Sequence, residues 1–82
     1  MLFLINNKII NDTQFELEII TDSRPGLLSM ISGEINQLSL EIDKARINTL
    51  GNRAEDFFLI TSKKVEETTI KQLKKNILER LT

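Results

Sequence analysis

The chain has 82 residues, 11 Lys and Arg against 12 Asp and Glu, and neither Cys nor His. That excludes disulfides and the usual zinc ligands, removes the commonest general base and the best nucleophile, and leaves no basic excess to draw nucleic acid or an anionic membrane. At this length the core of a single domain is thin, so association with a partner is the expected extra source of stability. The opening MLFLI is too short for a signal peptide or a membrane span, and a cytoplasmic location is the default.

Residues 1–10, MLFLINNKII, read as a strand with Asn6-Asn7 as a turn or bulge. A polar connection, NDTQ, follows. FELEII over 15–20 alternates, with Phe15, Leu17 and Ile19 on one face and Glu16 and Glu18 on the other, which predicts a half-buried strand. TDSRPGLLSM then turns the chain. Leu27, Leu28, Ile31, Ile35 and Leu38 recur at helical spacing and predict a helix over about 25–39. Pro25 suits its first turn, Ser23 or Asp22 suits its N-cap, and Gly33 inside it reads as a mark of close packing.

EIDKARINT over 41–49 predicts a second strand. Ile42, Ala45 and Ile47 do not share one parity, which places a bulge near Asp43-Lys44. Leu50-Gly51-Asn52-Arg53 reads as a hairpin turn, with Gly and Asn in unusual backbone angles. AEDFFLIT over 54–61 is apolar on both faces and predicts a central strand, with Arg46 pairing to Glu55 or Asp56 across the hairpin. Lys63 to Glu67 form a polar linker. Ile70, Leu73, Ile77, Leu78 and Leu81 predict a helix over about 67–81, whose Lys and Arg residues read as a solvated face.

Two one-faced helices on one side of an antiparallel sheet make a two-layer α+β sandwich. The opposite sheet face must then meet water or a partner. The four Phe (3, 15, 57 and 58) all fit core positions. With no exposed aromatic platform and a negative net charge, RNA binding on such a sheet is rejected.

From Phe15 to Thr61 the chain resembles an ACT domain, the small regulatory module that senses amino acids. "RPGLL", "ARINTLGNRAEDFFLIT" and the closing "ILERLT" are most similar to the C-terminal ACT domain of bacterial bifunctional uridylyltransferase/uridylyl-removing enzymes, over about residues 13–82. The resemblance implies a ferredoxin-like fold with two helices on one face of a four-stranded antiparallel sheet. The chain then reads as one domain: residues 1–12 are a leading strand and connection, and 13–82 a βαββα core. ACT domains usually end in a further strand, and MLFLI can fill that place from the other end. The "TLGNRAEDFF" hairpin argues against a stringent-response enzyme or a free-standing regulator.

The resemblance also implies function. The parent enzymes modify the PII nitrogen-regulatory protein in response to glutamine. Their magnesium-dependent catalytic residues lie far upstream, so the domain itself carries none. Partners expected are a small amino acid, glutamine first, and a second ACT domain or a second copy of the chain. A ligand carboxylate fits against the amides of Gly26, Leu27 and Leu28 at the helix start, where Gly26 allows close approach and the helix end is positive. Its ammonium calls for a carboxylate, Asp22 or Asp43. The binding residues so implied are Asp22, Ser23, Arg24, Gly26, Leu27 and Leu28. Ile42, Asp43 and Lys44 correspond to the second contribution, made by a partner domain. Ser23 stands where the family usually has Asp, and a hydroxyl cannot offset an ammonium. The same turn also reads as no more than a capped helix start, which leaves a ligand-free interaction module as the alternative.

Overall fold

The structure is a computed structural model and describes residues 2–82, with side chains from Leu4 onward. The elements are β1 (Leu2–Ile9), β2 (Gln14–Asp22), α1 (Leu27–Gln37), β3 (Glu41–Leu50), β4 (Arg53–Thr61) and α2 (Glu67–Leu81). The strands form one antiparallel sheet in the order β1-β2-β4-β3. β4 is central, as its two apolar faces require, and β1 completes the sheet beside β2. The expected α+β ferredoxin-like sandwich is the observed one.

Alternation decides which sheet face meets the helices. Phe15, Leu17, Ile19 and Thr21 of β2 are buried, as are Ala54, Asp56, Phe58 and Ile60 of β4. Against them pack Leu27, Ile31 and Ile35 of α1 and Ile70, Leu73, Ile77 and Leu81 of α2. Each large apolar side chain so buried contributes about 1.5–3 kcal/mol relative to exposure.

β3 differs: all ten of its residues are exposed. Its pairing with β4 slips between Ile42 and Lys44, so the expected bulge falls at Asp43. The slip resolves the broken parity. Ile42, Ala45, Ile47 and Thr49 lie opposite Ile60, Phe58, Asp56 and Ala54, and so share the helix-side face. The two helices do not reach far enough across to cover them.

Several expectations give way. β1 runs straight through Asn6-Asn7, paired with Glu18 and Leu17, and its irregularity lies between Leu2 and Leu4; the partner strand overrides the local turn preference of Asn. α1 begins at Leu27, not at residue 25. Its N-cap is Gly26 at φ 77°, and no side chain caps it. Ser23 and Asp22 are engaged elsewhere, as described below. An added Cβ at Gly33 would meet nothing within 4 Å, so that glycine marks no close packing. In the hairpin only Gly51 has positive φ, at 65°, and Asn52 needs none. That fits a two-residue turn with glycine first. Arg46 does not pair with Glu55 or Asp56. Register sets it opposite Phe57, with the guanidinium 6.0 Å from the ring centroid, while Glu55 meets Arg53 at 3.4 Å. Phe15 and Phe58 are core, Phe57 is half-buried on the open face, and the side chain of Phe3 lies outside the described residues. Of the supposedly solvated cations on α2, Lys74 donates to Asn7 at 3.0 Å and Arg80 to Glu34 at 2.9 Å.

Among the described residues no helix is long and apolar enough to cross a membrane.

Candidate functional site

The turn after β2 and the uncovered half of β3 flank an open hollow of about 250 Å³ on the helix side of the sheet. Ser23, Arg24, Gly26, Leu27, Leu28 and Ser29 form one wall, and Ile47, Thr49, Ala54 and Asp56 form the other. Drug-sized ligands occupy roughly 300–1,000 Å³, so an occupant here is small.

The sequence builds the first wall in steps. Pro25 cannot donate a backbone hydrogen bond, and Gly26 takes a left-handed conformation that few other residues tolerate. The chain therefore enters α1 abruptly. Leu27 donates only a long bond, 3.3 Å, to the Arg24 carbonyl, and the first regular bond runs from Met30 to Gly26 at 2.9 Å. The amides of Leu28 and Ser29 have no acceptor among the described residues. Unmatched donors at a helix N-terminus form a seat for an anion.

The second wall carries an acid. Asp56 is only 2% exposed, and its Oδ1 has no hydrogen-bond partner among the described residues. Burial pushes its carboxyl above the ordinary carboxylate range. A cation brought to it would relieve that desolvation cost directly. Donors for an anion and an uncompensated carboxylate thus face one small hollow.

The expected residues divide. Ser23, Arg24, Gly26, Leu27 and Leu28 line the hollow. Ser23 also donates its amide to the Asn52 carbonyl at 2.6 Å, which stitches the turn to the β3–β4 hairpin. Asp22 does not line it. It closes β2 opposite Arg53, and its Oδ1 accepts from Arg24 Nη2 at 2.7 Å and Thr21 Oγ1 at 3.0 Å. Arg24 Nη1 also approaches the Leu81 carbonyl at 3.5 Å, near the C-terminus of α2. Ile42 and Asp43 lie toward the other end of β3. Ile42 lines a separate hollow with Ser32, Ile35 and Asn36, and Asp43 accepts from Gln14 at 3.4 Å. Within one copy they do not meet the turn.

Asp56, Ile47 and Thr49 fall outside the expected set. A signal for Asp56 was present: in AEDFFLIT it shares parity with Phe58 and Ile60, so an acid stands on the core face. Ile47 and Thr49 were hidden by the bulge, which shifts their parity.

Among the described residues no group of three or more Asp, Glu, His or Cys side chains could hold a metal ion.

No family model matches the chain. Relatives are found among curated proteins. A bifunctional uridylyltransferase/uridylyl-removing enzyme of Acinetobacter baumannii is 49% identical over 47 residues, 57% of this chain. Those of Pasteurella multocida and Nitrosospira multiformis are 36% identical over 59 residues and 38% over 66, or 72% and 79% of this chain. The chain spans only 5% to 7% of the length of these enzymes. In fold, an ACT domain protein from Streptococcus pneumoniae matches with TM-score 0.72 at 16% identity, over 87% of this chain and 83% of that one. A structure described as an unknown protein from Galdieria sulphuraria matches with TM-score 0.74 at 16% identity, over 83% of this chain and 40% of that one. The chain is a homologue, over 57% to 79% of its length, of the bifunctional uridylyltransferase/uridylyl-removing enzymes, and its fold is that of an ACT domain.

Proposed function

We propose that this regulatory ACT domain senses a free α-amino acid, glutamine first, in the hollow between the turn and β3. The observation that carries the reading is Asp56, a buried carboxylate with an uncommitted oxygen, on the same hollow as the open amides of Leu28 and Ser29. The ligand carboxylate takes the amides and its ammonium takes Asp56. Asp56 thereby supplies the charge that Ser23 cannot. In this reading Asp22 is committed to Arg24, which favours Asp56 over it for that role.

In the longer enzyme, binding would act on remote catalytic domains that modify the PII protein in nitrogen regulation, in the cytoplasm, with magnesium held there. The shift it produces can be no larger than the ligand's differential affinity for two arrangements of paired ACT domains. Pairing along the free edge of β3 fits this scheme. Ala45 to Leu50 is regular strand with its outer hydrogen-bonding edge open, and a partner there would add a further wall to the hollow.

A second reading rests on the same strand. Ile47 and Leu50 are 44% and 61% exposed, which favours a module that pairs and binds nothing.

Calorimetric titration of L-glutamine and a panel of other amino acids separates the two. Saturable binding that weakens at least tenfold in Asp56→Asn, and is kept in Asp22→Asn, is the expected result. Absence of heat with every amino acid, or binding indifferent to Asp56→Asn, would overturn the sensing site.

A further inference from the structure

The sheet face turned away from the helices carries charges that form no ion pair among the described residues, Arg46 making only its contact with the Phe57 ring. Register sets Glu16, Leu59 and Lys44 in one row across β2, β4 and β3, and Glu18, Phe57 and Arg46 in the next. On β2 and β3 the acids thus stand to one side of the central strand and the bases to the other, with apolar side chains between, and Lys8 of the outer strand β1 stands beyond Glu16. Phe57 and Leu59 are half-buried, and Lys44 and Arg46 are exposed. The ion pairs among the described residues are Arg24–Asp22, Arg53–Glu55 and Arg80–Glu34, so all four row charges lack a salt-bridge partner.

We propose that this face binds the same face of a second copy, about a two-fold axis parallel to β4. That axis exchanges the two sides of the central strand while keeping each row at its own level. Glu16 then lies over Lys44 of the second copy and Glu18 over its Arg46, and the two-fold repeats both pairs. Phe57 and Leu59 meet their own symmetry mates at the centre. Sheets packed face to face lie about 10 Å apart with strands crossing near 30°, within reach of Glu, Lys and Arg side chains. A two-fold axis across the strands would instead set β2 over β2 and stack acid on acid. Charge therefore selects one orientation. An apolar centre flanked by paired charges is the anatomy of an isologous interface. This interface is distinct from the β3 edge and independent of any ligand in the hollow.

The test uses two charge-reversed forms of the full chain and measures mass in solution by light scattering. Glu16→Lys with Glu18→Lys makes the face basic. Lys44→Glu with Arg46→Glu makes it acidic. Each variant alone should fall to half the mass of the wild-type assembly while keeping its circular dichroism. An equimolar mixture should recover that mass, because each face then meets its opposite, and the recovery excludes misfolding as the cause of the loss. A wild-type chain that is monomeric at high concentration would overturn the proposal. So would variants that keep the wild-type mass, which would assign assembly to the β3 edge, or a mixture that fails to restore it.

Discussion

Arg80 Nη1 donates to Glu34 Oε2 at 2.9 Å and ties the last turn of α2 to the middle of α1. The pair is asymmetric, with Glu34 at 8% side-chain exposure and Arg80 at 58%. Removing the arginine strands a buried carboxylate, which costs more than an exposed ion pair is worth. Arg80→Ala should destabilise by about 1–3 kcal/mol in urea unfolding. In a Glu34→Gln background the same change should cost under about 1 kcal/mol. Equal losses in both backgrounds would mean that Arg80 acts through its stem and not through Glu34.

Gly33 sits inside α1 with open space where a Cβ would be. Gly33→Ala should therefore stabilise by about 0.5–1 kcal/mol, from helix propensity and a less flexible unfolded chain. Thermal melts check this. A lowered midpoint would show that the position is constrained after all.

Gly26 presents the opposite case. It also has free space around it, but its φ is 77°, so the cost of replacing it is one of backbone strain. Gly26→Val should lose at least about 1–2 kcal/mol, and Gly26→Asn should lose less because Asn tolerates the left-handed region. If both variants unfold alike, strain at this turn is not what glycine relieves.

Asp56 links stability to pH. Burial raises its folded pKa above the ordinary 3.8, so between those two values the folded state holds a proton that the unfolded state has released. The contribution of this group is fully favourable below that window and falls as pH rises through it. Asp56→Asn should flatten that part of the stability profile just above the ordinary carboxylate range. It should also be more stable at pH 7, because the change removes a buried charge. Identical pH slopes in variant and wild type would refute the assignment. A more stable but ligand-blind variant is the usual signature of a strained binding residue.

Much of this protein was legible in local pattern. The alternation of Phe15, Leu17 and Ile19 fixes the buried face of β2, and the stripe from Ile70 to Leu81 fixes the buried face of α2. The double-sided FFLI run announces the central strand, and the parity break at Ile42 announces the bulge. These follow from strand and helix periods, which need only neighbours in sequence.

What local pattern could not supply was pairing. Asp22 and Ser23 looked like caps, but Asp22 is held by Arg24, and the amide of Ser23 goes to the Asn52 carbonyl, a bond that depends on how β2 meets the hairpin. Arg46 looked like a partner for an acid until register set it over Phe57. Asp56 was expected at most as a cross-strand partner for Arg46. Only the closing of α1 and β3 around it left that carboxylate buried, with one oxygen lacking a hydrogen-bond partner among the described residues, on the same hollow as the open amides of a helix start. Burial and register are properties of elements brought together from distant parts of the chain, and they decide where the charge of this domain stands.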